Sequence, residues 1–162
     1  MTNRPAEPGG ELPERECLRL LASQGFGRLG CYSPTRDESY VVPISYVYHP
    51  GAIYFATVPG QKLDFLREHP RGACLEVETA ERQDQLTVIV TGDFQQLESQ
   101  PAEAAHPQRG LLRPAFDDGL TPYPAESLVL CKLNIRKVSG RRDRRNWRTE
   151  MKLPQQAQRS RS

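Results

Sequence analysis

Short runs in which apolar and polar residues alternate fill most of this chain, which is the pattern of β-strands with one face in a core. Pro, Gly and polar residues separate the runs, so successive strands are predicted to connect mostly through tight turns. The tightest connection, His49-Pro50-Gly51, predicts a hairpin between the strands on either side of it. The predicted strands are Phe26–Tyr32, Tyr40–His49, Ala52–Thr57, Ala73–Glu78, Leu86–Leu97 and Ser127–Ser139.

Helical spacing of apolar residues is confined to short segments. Pro13–Gln24 has a proline near its first turn and ends before Gly25, as helices commonly do. A second, short helix follows Pro59-Gly60 and stops at Pro70, and a marginal one is predicted within Pro101–Leu112. The chain is therefore predicted to be mainly β with short helices, and a six-stranded antiparallel split β-barrel is favoured because barrel closure removes exposed edges.

Two positions constrain how the strands are arranged. Proline cannot donate a ladder hydrogen bond, so Pro43 predicts an edge, an end or a bulge of a sheet, with something other than a neighbouring strand facing it. Gly92 interrupts the longest strand and predicts a bulge or corner.

At 162 residues the chain is predicted to form one domain. We expect residues 1–11 to be a disordered tail, residues 12–142 the folded domain and residues 143–162 a basic extension, since both ends are polar. No apolar run has the length of a membrane span and no signal-peptide pattern opens the chain. A cytoplasmic protein without membrane association is therefore expected.

Charge and reactive side chains narrow the function classes further. Residues 132–162 contain eleven Lys and Arg and two acids, whereas residues 1–131 contain eleven Lys and Arg and eighteen acids. Such asymmetry is typical of a nucleic-acid tail, a bound anion or a chain end attracted to its own acidic body. The four cysteines and three histidines are scattered, so no metal site is predicted and the cysteines are expected to be buried as small hydrophobes.

One lysine stands where a cation is unfavourable. In TVPGQKLDFLREHP, Lys62 occupies the first turn of the short second helix, where the helix dipole makes a cation cost about 0.3–1 kcal/mol. An anion between the ammonium and the free N–H groups would remove that cost, and phosphate is the usual one. The alternative is that Lys62 extends into water at small cost.

The order of the segments resembles the pyridoxamine 5′-phosphate oxidase-like FMN-binding split barrels, in particular the general flavin-nucleotide-binding and nitroimidazole-reductase-like branch. The resemblance covers Leu12 to Arg142. It depends on ECLRLLASQGFGRLG, then YVVPISYVYHPGAIYFATVPGQKLDFLREHP, then VIVTGDFQQLE and CKLNIRKVSGRR. The middle block is the most specific, because an Ile/Val-Pro strand, a hairpin, a Tyr-Phe strand and a Thr-x-x-Gly-x-Lys turn occur there in order.

The resemblance implies a homodimer with FMN at the subunit interface, with FAD as the alternative cofactor and heme ranked below both. Lys62 would hold the phosphate, and the Pro43 strand would face the isoalloxazine instead of another strand. The segment GRRDRRNWR is either a source of further contacts, in part from the partner subunit, or a solvated basic tail. The implied cofactor contacts are Lys62, Thr57, Gln61, Val42, Pro43, Ile44, Ser45, Arg142, Arg145 and Trp147.

The expected activity is that of an FMN-dependent oxidoreductase that reduces a small organic acceptor, since the flavin supplies the redox chemistry and no catalytic acid or base is required. Two departures from the family pattern limit how much of the family's activity can be expected here. Ala56 stands where many relatives have a histidine, and WRTEMKLPQQ does not match the ending of true pyridoxamine phosphate oxidases. The alternatives are a flavin or heme carrier or sensor of the same fold and, ranked last, a nucleic-acid binder that uses the basic tail.

Overall fold

The computed structural model describes residues 9–81, 84–97 and 127–143. Two α-helices lie in these ranges, α1 (Glu14–Gln24) and α2 (Gln61–Glu68), and a single 3-10 turn follows at Pro70–Gly72. The strands are β1 (Phe26–Ser33), β2 (Glu38–Ser45), β3 (Val47–His49), β4 (Ala52–Thr57), β5 (Ala73–Glu81), β6 (Asp84–Gln96) and β7 (Val129–Asp143).

All described strands belong to one antiparallel sheet in the order β2-β1-β5-β6-β7-β4-β3. Its two edge strands, β2 and β3, are consecutive in the chain and are separated by Tyr46 alone. The edges of the sheet therefore meet at Tyr46 while β2 pairs with β1 and β3 pairs with β4. The result is a curved, unclosed sheet, which confirms the predicted split-barrel class.

The prediction of one continuous strand over Tyr40–His49 is wrong, and the sheet has seven strands instead of six. Tyr46 is 3% exposed, its amide donates to the Gly25 carbonyl at 2.9 Å, and its hydroxyl donates to the Leu21 carbonyl at 2.9 Å. These bonds fix Tyr46 against the end of α1. The residues on its two sides consequently pair with different strands.

The other strands lie where alternation predicted them, with shifted ends. The register of β6 against β7 slips between Thr91 and Gly92, which confirms the predicted irregularity. Pro43 lies in edge strand β2, as expected of a residue without an amide donor. The last strand continues four residues beyond the predicted Ser139, because residues up to Asp143 pair with β6. The helix predicted within Pro101–Leu112 lies outside the described residues.

The core fills the inner face of the sheet, and both helices contribute to it. α1 ends at Gly25, whose φ of 77° is left-handed and favours glycine. Among the described residues, no helix has the length and apolar character to cross a membrane. Core side chains that are less than 2% exposed include Leu21, Leu29, Ile53, Phe55, Leu63, Phe65, Leu66, Leu75, Val77, Leu86, Val88 and Leu133.

Candidate functional site

The turn from β4 into α2 contains the predicted Thr57, Gln61 and Lys62 within six residues. Gly60 is the N-cap of α2 and provides no side-chain oxygen, while its carbonyl accepts the first helical hydrogen bond from Asp64 N at 3.1 Å. The preceding amides of the helix have no acceptor within it. A bound anion is therefore favoured at this turn.

Lys62 is a half-buried cation that has no anionic partner among the residues that the structure describes. Burial lowers the pKa of its ammonium, and the groups that oppose this shift are the thiols of Cys131 and Cys31 instead of a carboxylate. Within the described ranges Lys62 forms neither an ion pair nor a hydrogen bond. A buried charge ordinarily has a partner, so this position fits a phosphate that would supply the missing negative charge.

The two thiols near Lys62 do not supply that charge at neutral pH. Burial raises the pKa of Cys31 to about 11 and that of Cys131 to about 12, although Lys62 partly offsets both shifts. Three of the four cysteines are buried and the fourth, Cys74, is half-buried. This agrees with their predicted role as small core residues.

We expect the free energy of unfolding to fall as pH rises above about 8.5, where thiols ionise in an unfolded chain. Between that value and the raised folded pKa values, the folded state binds more protons than the unfolded state, so stability is lost with increasing pH. Denaturant titrations at a series of pH values should show a shallower fall for Cys31→Ala/Cys131→Ala than for the wild type. Equal slopes would contradict the assignment.

The last residue of α2, Glu68, anchors the helix and with it the first turn that contains Lys62. Glu68 accepts hydrogen bonds from the Ser33 hydroxyl at 2.7 Å and the Thr35 amide at 2.8 Å, which lowers the pKa of its carboxyl. Phe65 packs edge-on against the Tyr40 ring, with centroids 6.0 Å apart. α2 is thus fixed to the β1–β2 hairpin, and this fixes Lys62 relative to β2.

Gln61 and Thr57 lie beside Lys62 but are committed to local bonds. The Gln61 amide group donates to a Glu38 carboxylate oxygen at 3.2 Å, and the buried Thr57 hydroxyl donates to the Val58 carbonyl at 3.2 Å. The first bond brings the start of edge strand β2 to the start of α2. Glu38 was not among the sequence candidates, because nothing in a single sequence indicates this contact between residues 23 positions apart.

The four predicted residues of β2 differ in what they present. Ile44 is 6% exposed and belongs to the core, so its backbone is the part open to a ligand. Val42 is half-buried, whereas Pro43 and Ser45 are exposed on the opposite face of the strand. Because β2 is a sheet edge, its outer backbone groups are free of a neighbouring strand.

Arg142 does not join Lys62 within one chain. Its guanidinium forms ion pairs with Glu16 at 2.7 Å and Asp84 at 3.6 Å. Lys62 lies near Cys131 on β7. Cys131 precedes Arg142 by eleven residues of the same strand, and eleven residues span roughly 35 Å. A contact from Arg142 to the same cofactor therefore requires a second subunit and stays a prediction. Arg145 and Trp147 lie outside the described residues.

These features define an open antiparallel barrel with a half-buried lysine at a strand-to-helix turn beside a sheet edge. Residues 13–142 match the model of the family described as pyridoxamine 5′-phosphate oxidase. The chain belongs to that family.

Solved structures with the same fold include flavin and heme proteins. An FAD-binding protein from Mesorhizobium loti is 25% identical, with a TM-score of 0.71 over 85% of this chain and 99% of that one. An FAD-binding protein from Mycobacterium smegmatis is 24% identical, with a TM-score of 0.60 over 83% and 100%. A heme-binding protein from the same species is 18% identical, with a TM-score of 0.58 over 79% and 55%.

A curated relative from Rhizobium meliloti, itself described as uncharacterized, is 33% identical over 86 residues. The match covers 53% of this chain and 56% of that protein, so the chain spans little more than half of the curated relative's length.

Proposed function

We propose that this chain binds FMN, with the phosphate at Lys62, and acts as an FMN-dependent oxidoreductase on a small organic acceptor. The observation that carries the proposal is the half-buried ammonium of Lys62, a residue in the uncapped first turn of α2 that has no carboxylate partner among the described residues. A phosphate there would be bound by a cation and by backbone amides together. Family membership makes a flavin the expected source of that phosphate.

The rest of the cofactor would lie along β2. The bond between Gln61 and Glu38 brings the start of this strand to the start of α2, where the phosphate would bind. From Glu38 the strand continues through Val42–Ser45, and its free edge offers backbone donors and acceptors to a planar ring. Pro43 is compatible with this use because a proline on an edge removes no ladder bond.

When bound, FMN would supply electron or hydride transfer, while the chain binds the phosphate, orients the ring and limits access of water. Tyr46, which separates β2 from β3, is a poor proton donor. Burial raises its pKa to about 12, and its hydroxyl donates to the Leu21 carbonyl. Ala56 likewise offers no titratable group. Neither of these two residues would therefore deliver a proton.

Turnover distinguishes an oxidoreductase from a carrier. The FMN-loaded protein should be mixed anaerobically with NADH, NADPH or dithionite, and the flavin absorbance should then be followed as a quinone or a nitroaromatic compound is added. Rapid bleaching by a nicotinamide and recovery with an acceptor would support the enzyme. Reduction by dithionite alone, without recovery on addition of any acceptor, would favour a carrier or sensor.

A homodimer with the cofactor at the subunit interface is the second part of the proposal. Phe26 is 57% exposed and Val41 is 64% exposed, which is unusual for large apolar residues. In the β1–β2 register their partners are Ser45 and Gly30, so both side chains lie on the outer face that also presents Pro43. This apolar outer face adjoins the proposed ring position and suits a second copy of the chain.

We expect Val41→Lys to weaken the dimer, because a charge would enter a desolvated contact. Sedimentation equilibrium should give about twice the 18.3 kDa mass of the chain for the wild type and a shift towards the single-chain mass for the variant. Ala22→Lys, at an exposed position of α1, is the matched control and should stay dimeric. A wild-type monomer with bound FMN would contradict the dimer.

A heme carrier finds less support in the described residues. His49 and His69 are engaged with aromatic rings, His49 edge-on to Tyr54 at 6.4 Å and His69 edge-on to Tyr32 at 6.2 Å. The third histidine, His106, lies outside the described ranges. The basic residues after Asp143, on which nucleic-acid binding was predicted to depend, also lie outside them. The nucleic-acid alternative therefore stays a prediction.

A further inference from the structure

A cavity of about 330 Å3 opens on the outer face of the sheet where β6 and β7 pair. Its floor consists of two adjacent cross-strand pairs, Thr87 with Arg141 and Ile89 with Ser139. Paired residues share a face of the sheet, so these four side chains point to the same side. The volume lies at the lower end of that of small-molecule sites, roughly 300–1,000 Å3.

The N-terminal segment forms one wall of this cavity. The Arg142 amide donates to the Gly10 carbonyl at 2.8 Å, and the Leu12 amide donates to the Gly140 carbonyl at 2.9 Å. Gly9 lines the cavity and passes so close to β7 that a Cβ atom would collide with the Arg142 carbonyl oxygen. The wall is therefore fixed by backbone hydrogen bonds and by the small size of Gly9.

Two adjacent arginines on β7 differ in their surroundings. Arg142 is ion-paired with Glu16 and Asp84 on one side of the strand. The Arg141 side chain lines the cavity and forms no ion pair or hydrogen bond in the part of the chain that the structure describes, while its backbone pairs with Thr87 and Glu11. Among these residues, the donors of its guanidinium therefore stay available to a ligand.

We propose that this cavity is a second ligand site, separate from the Lys62 turn, which binds a small monocarboxylate with a compact apolar body. The planar Arg141 guanidinium matches a carboxylate in a bidentate geometry. The hydroxyls of Thr87 and Ser139 are available for the remaining oxygen lone pairs. Ile89, which is 38% exposed at the floor, provides the apolar contact.

The charge of the cavity selects a singly charged anion. Asp143 also lines it and is itself engaged in an interaction, and Glu11 pairs with Arg141 on the same face, so the Arg141 cation has one acid in the cavity lining and a second beside it. A second negative charge on the ligand would face Asp143 as well as Arg141. A monocarboxylate is consequently favoured over a phosphate dianion.

Benzoate is a suitable probe, with benzyl alcohol as its uncharged analogue and inorganic phosphate as a dianion. In amide NMR spectra of the full chain, benzoate should cause saturable shifts at Thr87, Ile89, Ser139 and Arg141. Arg141→Gln should weaken benzoate binding about tenfold or more. Lys137→Gln removes a charge from the same strand outside the cavity lining and should leave benzoate affinity within about twofold.

FMN binding provides an independent measurement, because this proposal does not depend on the flavin site. Arg141→Gln should leave FMN affinity and sedimentation unchanged, since the Arg141 side chain is exposed and unpaired among the described residues. The proposal is overturned if benzyl alcohol or phosphate binds as tightly as benzoate, or if Arg141→Gln leaves benzoate affinity unchanged. Loss of FMN binding or of the dimer in this variant would assign Arg141 to the flavin site or the interface instead.

Discussion

Replacing Lys62 with alanine is expected to weaken FMN binding by about 1.5–3 kcal/mol, which is roughly a tenfold to hundredfold rise in Kd. Lys62 stands in the uncapped first turn of α2, and its ammonium has no carboxylate partner among the described residues. The variant should fold normally, because removing a half-buried and uncompensated charge takes away a desolvation cost. Quenching of flavin fluorescence during titration gives the Kd directly.

Riboflavin and a neighbouring variant make this test specific. Riboflavin lacks the phosphate, so its weaker binding should be the same in wild type and Lys62→Ala. Arg67→Ala removes a cation from the same helix that is already bound to Gln96 and Asp64, and it should leave the Kd for FMN unchanged. If Lys62→Ala lowered riboflavin and FMN affinity equally, the lysine would act on the ring or on the fold and not on the phosphate.

Phe65→Ala is expected to lower the free energy of unfolding by about 3–5 kcal/mol, the range for truncating a buried phenylalanine. Phe65 is 1% exposed, meets the Tyr40 ring edge-on and lies under the Arg36 guanidinium at 5.4 Å. α2 has only eight residues and is too short to form without packing. Loss of this anchor should therefore also weaken FMN binding, even under conditions in which the sheet remains folded.

Urea denaturation measures the first effect, and two further variants control it. Phe65→Leu keeps much of the volume and should cost clearly less than Phe65→Ala. Ile89→Ala truncates an apolar side chain that is 38% exposed on β6 and should change the stability little. Similar losses for Phe65→Ala and Ile89→Ala would show that α2 is not anchored through Phe65.

The sequence supported those parts of the fold that depend on local chemistry. Alternation located the strands, Pro43 indicated an edge, an end or a bulge, of which the structure has the edge, and Gly92 indicated the irregularity of β6. The break at Tyr46 could not be predicted, because residues on both sides of it have the same strand pattern and differ only in their partners. The extension of β7 was hidden by its basic residues, which are polar in sequence but pair regularly with β6.

The candidate site was likewise predictable only where it depends on local sequence. Lys62 stands out from sequence because its position relative to one helix is a local property. Its burial beside Cys31 and Cys131, and the bond that brings Glu38 to Gln61, depend on contacts between distant segments. The cavity at Arg141 likewise arises only when the N-terminal segment packs against β7.

The most direct test of the central claim is a visible absorption spectrum of the purified full chain, recorded before and after addition of FMN, with mass analysis of any chromophore released on denaturation. The account predicts flavin bands from bound FMN that are lost in Lys62→Ala. A Soret band without flavin, or the absence of any spectral change on addition of FMN, would contradict it.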